Sequence, residues 1–183
     1  GDVAAAWPAA GPALLVAAGR WHDGDAAWGP RAPLAWRSVA GGLLVEERDV
    51  APIDLRYAGA VTARTPTDDE RRTLALAARV ARHVRAHALV IAAHGSTVAV
   101  VGGQPDLRRA LLVARGCEND VLHDSVAAMS ARIDDPLEVD ALADSGVRAV
   151  VQPGVSTRDQ EVVAAADRRG LIMILTGLER LRR

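Results

Sequence analysis

The histidines are the side chains best suited to proton transfer or metal binding. His83 and His87 lie four residues apart, so on a continuous helix both would share one face, a spacing that can bind zinc. No third ligand is obvious, and the alternatives are solvated histidines or one histidine in a pocket. His94 falls in a predicted turn and His123 in a polar stretch, and we expect both on the surface.

Two glycine-containing loops join predicted strands to predicted helices. Gly102-Gly103-Gln104 is expected to open a helix, where bare backbone N–H groups can bind an anion, although a plain tight turn is the alternative. Residues 152–159 form the second loop, in which Thr157 is either a site residue or a helix cap. Two such loops in one half of an α/β domain predict a site at the carboxyl ends of the strands.

The composition excludes several kinds of catalysis. The chain contains no lysine, since all 22 basic residues are arginine. A phosphate-binding loop of the G-x-x-x-x-G-K type and a Schiff-base lysine are therefore excluded. The single Cys117 forbids an intramolecular disulfide and a C-x-x-C metal site. We expect no metal, and the cofactor stays unknown on composition alone.

Charge and hydropathy indicate the kind of partner. The net charge of −1 leaves no basic excess for nucleic-acid phosphates or anionic lipid. No apolar run reaches the roughly 18 residues of a membrane span. The N-terminus does not resemble a signal peptide. The expectation is a cytoplasmic protein with a small-molecule substrate, without nucleic-acid or membrane partners.

The elements that must position these residues are predicted from local signals. Residues 41–45 read as a glycine turn into a strand, and residues 57–63 as a second strand. Thr67 followed by Glu70 is a capping box that predicts a helix start. His94-Gly95 predicts a hairpin between the apolar runs 88–93 and 96–101. Further along, we predict helices over 102–115, 136–145 and 157–169, and strands over 147–151 and 171–175.

This alternation of short helices and apolar strands indicates a single layered α/β domain over residues 1–183. Its first part, residues 1–35, is a tryptophan-rich segment with a predicted strand at 12–16. The tryptophans either cover an edge of the core or form a partner surface. They are Trp7, Trp21, Trp28 and, just after the segment, Trp36.

Residues 149–162, with Met173, Thr176 and Gly177 after them, resemble the C-terminal end of aminoimidazole carboxamide ribonucleotide (AICAR) transformylase. The family pattern there is A-V-I-Q-P-G-G-S-x-R-D-x-E-V, followed by M-x-x-T-G. Four more segments agree in order with R-S-V-x-G-G-L-L-V, V-T-x-R-x-P-T, K-H-V-K-S-N-A-I-V and G-A-G-Q. They are residues 37–45, 61–67, 82–90 and 101–104. The resemblance covers the chain from about residue 36 to the end.

The resemblance implies a cytidine-deaminase-like α/β/α fold, in its second, zinc-free copy. It implies formyl transfer from 10-formyltetrahydrofolate to an aminoimidazole carboxamide nucleotide, at a site shared across a homodimer. His87 would lie in the pocket as a candidate general base. The candidate substrate-binding residues are Gly103, Gln104, Arg108, Ser156, Thr157 and Arg158.

Departures from the family pattern fall where chemistry is expected. The first part of the transformylase, with its Lys-His pair, has no counterpart here. His87 stands in place of an Asn that contacts the substrate carboxamide, and Leu107 and Glu179 stand in place of arginines. The folate-contacting S-D-A-F-F-P-F segment is replaced around residues 130–133.

These departures leave three functions open. The first is a transformylase-like enzyme completed by a second polypeptide. The second is a remodelled enzyme of small-molecule biosynthesis with a less anionic ligand. The third is a non-catalytic binding or assembly module. Whether the protein is an enzyme therefore stays open at this point.

Overall fold

The computed structural model describes residues 34–47, 55, 58–117 and 122–177. The chain divides into two compact units, Gly1–Val50 and Ala51–Arg183, and the assignment of one domain to residues 1–183 stays a prediction. The expected strand at 12–16, three of the four tryptophans and Glu179 lie outside the described residues. No helix within the described ranges is long and apolar enough to cross a membrane.

The first unit contributes an antiparallel hairpin. Strands β1 (Leu34–Val39) and β2 (Gly42–Glu47) pair with Trp36 opposite Val45. The turn needs a left-handed residue, and Gly41 supplies it with φ +83°. The predicted strand after the glycine turn is confirmed, whereas β1 was not predicted.

The second unit contains a five-stranded mixed sheet in the order β4-β3-β5-β6-β7. β3 runs antiparallel to both of its neighbours, and β5, β6 and β7 are parallel. Its strands are β3 (Leu89–Ala93), β4 (Ser96–Val101), β5 (Ser125–Met129), β6 (Val147–Gln152) and β7 (Ile172–Leu175). The predicted hairpin at His94-Gly95 is confirmed, with φ values of +50° and +73°.

Helices cover both faces of this sheet. They are α1 (Asp68–Ala81), α2 (Leu107–Cys117), α3 (Pro136–Asp144) and α4 (Asp159–Arg168). Leu74 and Ala77 of α1 pack with Val90 and Ile172 on one face. The other three helices pack on the opposite face, around Ile91. The layered α/β/α class is therefore confirmed.

Two helices begin where their caps predict. Thr67 accepts a hydrogen bond from the Glu70 amide, and the Glu70 carboxylate accepts one from the Thr67 amide. The Asp135 carboxylate accepts a hydrogen bond from the Leu137 amide ahead of α3, with Pro136 in the first turn.

Three predicted boundaries are wrong. Residues 58–63 are not a strand. The Val61 amide donates one backbone hydrogen bond to the Met173 carbonyl. The Met173 amide, however, donates to the Thr62 hydroxyl and not to a backbone carbonyl. Gly102-Gly103-Gln104 does not open a helix, since α2 begins at Leu107. Thr157 neither begins nor caps α4, because Arg158 occupies the cap position without a side-chain hydrogen bond.

Candidate functional site

A cavity of about 220 Å³ lies at one end of the sheet. The register joins Leu89, at the start of β3, to Val101 at the end of β4 and to Met129 at the end of β5. The cavity is thus at the carboxyl ends of β4 and β5, and a functional site at the carboxyl ends of the strands stays a prediction. Its lining residues are His87, Leu89, Pro105, Asp106, Leu107, Ala110, Met129, Ala131, Arg132, Asp134 and Glu138.

His87 reaches the cavity because the chain leaves α1 early. The helix ends at Ala81, so His83 and His87 do not share a helical face and the condition for a two-histidine zinc spacing is not met. Ala86 has the left-handed φ of +47°, which turns the chain just before His87. The described residues hold no group of three or more His, Cys, Asp or Glu side chains able to bind a metal ion.

Gly102 and Gly103 hold the segment before His87 against the sheet. A Cβ atom on Gly102 would lie 2.5 Å from Val84 Cγ1 and 2.8 Å from the Arg85 carbonyl oxygen, so only glycine fits without displacement. The Gly103 amide donates a hydrogen bond to that carbonyl at 3.2 Å. This amide is therefore not available for an anion, and its role in the described structure is to hold the backbone.

The segment after His87 is held by a buried serine. The Ser130 hydroxyl accepts a hydrogen bond from the Ala88 amide at 2.8 Å, and the Ser130 amide donates to the Ala88 carbonyl at 3.2 Å. Ser130 is 2% exposed. Because a buried serine with both bonds satisfied is rigid, it fixes the backbone next to His87.

An aspartate occupies the N-terminus of α2. The Asp106 carboxylate accepts a hydrogen bond from the Arg109 amide at 2.8 Å, as a helix cap does. An anionic ligand at this helix end would meet that carboxylate, so the predicted anion site at this loop is not supported. Leu107 is buried at 6% exposure, whereas Arg108 is exposed on the helix surface.

Arg132, Asp134 and Ser156 form a polar chain beside the cavity. Arg132 Nε donates to both carboxylate oxygens of Asp134, at 3.1 and 3.0 Å. The Ser156 hydroxyl donates a hydrogen bond to the same carboxylate, and this bond lowers the pKa of Asp134. The hydrogen bond and the positive charge of Arg132 lower that pKa further, although burial opposes the shift. The predicted second loop therefore approaches the cavity through Ser156.

Glu138 brings a third carboxylate to the cavity, beside Asp106 and Asp134, from the first turn of α3. Burial raises the pKa of this carboxyl, and the nearby charges of Asp135 and Asp134 raise it further. Hydrogen bonds from the Asp134 and Asp135 backbone partly offset that rise. The sequence predicts a helix start with an early acidic residue here. It contains no other signal that places Glu138 in a site.

Gln152 connects the two loops from beneath. Its side-chain oxygen accepts hydrogen bonds from the Ile133 amide at 3.2 Å and from the Gly154 amide at 2.9 Å. The residue is 1% exposed, so it does not touch solvent. The sequence carries no local signal for this role, because the contact with Ile133 spans 19 residues.

The remaining predicted site residues lie around the cavity without lining it. Gln104 is half-buried and bonds weakly to the Gly102 carbonyl, at 3.5 Å. Thr157 is exposed, and Arg158 pairs with Glu161 at 2.8 Å. Among the predicted residues, the structure thus brings His87 to the cavity and Ser156 to its polar edge, and the substrate-binding roles of the others stay predictions.

Comparison with known proteins agrees with the predicted resemblance. Residues 24–116 match the family described as AICARFT/IMPCHase bienzyme. The chain is 37% identical over 161 residues to the bifunctional purine biosynthesis protein PurH of Parvibaculum lavamentivorans, covering 82% of this chain and 30% of that protein. It is 41% identical over 150 residues to PurH of Chloroflexus aurantiacus, covering 80% and 29%.

The chain therefore spans about 30% of the length of the curated relatives it matches. The match includes the first described hairpin, the hairpin of β3 and β4 and most of α2. With its layered fold, its ordered motifs and these identities, the chain belongs to the AICARFT/IMPCHase bienzyme family.

Proposed function

We propose that this chain acts in purine or related small-molecule biosynthesis, by binding an amine-bearing ring in the cavity beside His87. The reaction class would be formyl transfer or a related acyl transfer to that amine. A cytoplasmic location and a homodimer are part of the same proposal, carried over from the family resemblance.

The observation that carries the proposal is the placement of His87. The resemblance places it where the family has a substrate-contacting Asn, and it lines the cavity. The cavity volume of about 220 Å³ is smaller than the ~300–1,000 Å³ of clefts that enclose drug-sized ligands. The cavity is therefore of the size that suits a single substituted ring.

His87 has the chemistry of a proton acceptor for this reaction. Formyl transfer forms a bond between the amine nitrogen and the formyl carbon and breaks the bond between that carbon and the donor's nitrogen, and the amine loses a proton. The imidazole of His87 would take up that proton and return it to the donor nitrogen as the latter leaves. When bound, 10-formyltetrahydrofolate would supply the formyl group from outside the cavity.

A complete family site needs groups from beyond these 183 residues. The chain contains no lysine, so the Lys of the family's Lys-His pair must come from another polypeptide or another part of a longer protein. The described residues would contribute the ring-binding half, with Leu89, Leu107 and Met129 as its apolar part.

Thermal unfolding tests the proposal. A ligand at about 100 times its Kd stabilises a protein by about 2.7 kcal/mol, which raises Tm by about 5–10 °C at this size. We expect such a shift with the aminoimidazole carboxamide nucleotide or a folate analogue. It should shrink in His87→Ala and persist in His123→Ala, because His123 is exposed and does not line the cavity. No shift with either ligand would overturn the proposal.

A binding or assembly module is the second candidate function, because the first hairpin exposes apolar side chains. Trp36 is 62% exposed and Leu43 is 63% exposed, and the register places both on one face with Val45. If this face binds a partner, Trp36→Ser should lower the sedimenting mass while Val100→Ser, at an exposed valine of β4, should not. Equal masses for all three proteins would argue against this role.

A further inference from the structure

We propose that Glu138 selects the ligand of the cavity by accepting N–H groups from a planar nitrogen ring or amidine-like edge, and that a phosphate-free ligand is preferred. The inference rests on the proposed function for the location of the site. It goes further by assigning a specificity-determining residue and a ligand class.

The lining of the cavity is mixed, with apolar and charged side chains together. Leu89, Leu107 and Met129 offer apolar surface to the faces of a flat ring. Glu138 reaches the same cavity from the first turn of α3 and is half-buried. A flat group that enters would thus meet apolar carbon and a carboxylate together, as in ligand sites with few polar anchors.

Some of these charged side chains are already paired. The lining includes three carboxylates and one guanidinium. Arg132 is engaged with Asp134 through two hydrogen bonds, and Asp106 is engaged with the Arg109 amide and side chain. Of the three acids, Glu138 is the one whose described partners are backbone amides alone.

Glu138 can accept further hydrogen bonds. A carboxylate offers about four lone-pair positions, and the backbone bonds from Asp134 and Asp135 leave room for further donors. Its pKa is raised first by burial and then by the neighbouring Asp135 and Asp134 charges, so the two backbone hydrogen bonds compensate its ionised form only in part. Paired N–H groups supply that compensation, and a carboxylate binds them bidentately.

The same lining disfavours a phosphate. Three carboxylates and one paired guanidinium line the cavity, so its lining side chains carry more negative than positive charge. Leu107 belongs to the apolar core cluster and offers a phosphate no hydrogen-bond donor. A ligand that keeps its ring and loses its phosphate should therefore bind at least as well.

The test is isothermal titration calorimetry of the 183-residue chain with three probes. These are the phosphate-free aminoimidazole carboxamide riboside, its 5′-phosphorylated nucleotide, and benzamidine as an unrelated planar amidinium. Glu138→Gln keeps the shape and the helix-start acceptor but removes the charge. Glu70→Gln is the matched control, since Glu70 holds the equivalent first-turn position of α1 and does not line the cavity.

We expect the riboside to bind at least as tightly as the nucleotide. In Glu138→Gln, the affinity for riboside and benzamidine should fall about tenfold or more, as for a lost charge-assisted hydrogen bond. Glu70→Gln should bind like the wild type. Circular dichroism of both variants establishes that each is folded.

Each other outcome separates the two proposals. Nucleotide binding stronger than riboside binding, or equal affinities in Glu138→Gln and wild type, would overturn the inference and leave the proposed function standing. Benzamidine binding that depends on Glu138, without riboside or nucleotide binding, would support the inference and count against the proposed function. Binding of none of the probes would overturn both.

Discussion

Two residues near the cavity adopt left-handed backbone conformations although neither is glycine. Ala86 has φ +47° and Val155 has φ +67°. A β-branched residue in this region is strained, at a cost on the order of 1–3 kcal/mol. The family pattern has a second glycine at the position of Val155, so this chain carries strain in the loop that leads to Ser156.

Val155→Gly should therefore stabilise the protein. Val155 is 73% exposed, so little burial is lost, and relief of strain outweighs the extra freedom of glycine in the unfolded chain. We expect the free energy of unfolding to rise by about 1 kcal/mol in urea denaturation. Val100→Gly, at an exposed strand position, should lower it. A loss of stability in Val155→Gly would contradict the strain argument.

Gln152 is the polar residue on which the arrangement of the two loops depends. Replacement by alanine leaves the amides of Ile133 and Gly154 buried without their acceptor. We expect Gln152→Ala to lower the free energy of unfolding by about 2–4 kcal/mol. Gln160→Ala, on the exposed side of α4, should change it by less than about 0.5 kcal/mol. Similar small effects for both variants would show that Gln152 does not hold the loops.

Glu138 should also make stability depend on pH. Its pKa is raised above the ordinary 4.5 in the folded protein, so the folded state binds this proton more tightly than the unfolded state does. The stability that this proton contributes is fully present below the pKa of Glu138 in the unfolded state. It is lost as pH rises through the pKa of Glu138 in the folded state. Glu138→Gln lacks it.

The measurement is the unfolding free energy of wild type and Glu138→Gln at several pH values. As pH rises from about 4 to 7, the free energy of unfolding of the wild type should fall relative to that of Glu138→Gln. This range begins below the ordinary carboxyl pKa. Asp134, whose pKa is lowered, acts in the opposite direction at lower pH in both proteins. A difference that stays constant over this range would contradict the raised pKa.

Among the helices, α1 is the one whose start is determined most fully by neighbouring residues in the sequence. Its capping box pairs Thr67 with Glu70, and Arg64 adds an ion pair to Glu70 at 2.7 Å. We expect Thr67→Ala to lower the free energy of unfolding by about 1 kcal/mol in chemical denaturation. The exposed Thr65→Ala two residues earlier should have little effect. Equal losses in both variants would show that the cap is not the cause.

Elements with local signals were predicted well, and those without them were not. α3 followed from Asp135-Pro136, and the β3–β4 hairpin from His94-Gly95 between apolar runs. α2 and α4 begin later than expected because the preceding loop residues bond elsewhere. Gly103 bonds to Arg85, and the Asp159 carboxylate accepts the Ser156 amide at 3.1 Å.

At the scale of the whole molecule, both described core clusters lie between Leu55 and Ile174, within the second unit. A chain of residues 51–183 should therefore fold without the first 50 residues. We expect one cooperative unfolding transition, with coincident midpoints in far- and near-ultraviolet circular dichroism. A broad transition, or the absence of near-ultraviolet signal, would show that the second unit needs the first.

The sequence alone determined the α/β class, the capped helices, the β3–β4 hairpin and the family, because these depend on short-range spacing, turn residues and ordered motifs. It also excluded lysine chemistry. Only the tertiary structure decided that His87 shares a cavity with Glu138, that Asp106 occupies the start of α2, and that Gln152 holds two loops. Those contacts depend on strand order and register, which bring together residues far apart along the chain and leave no local pattern to read.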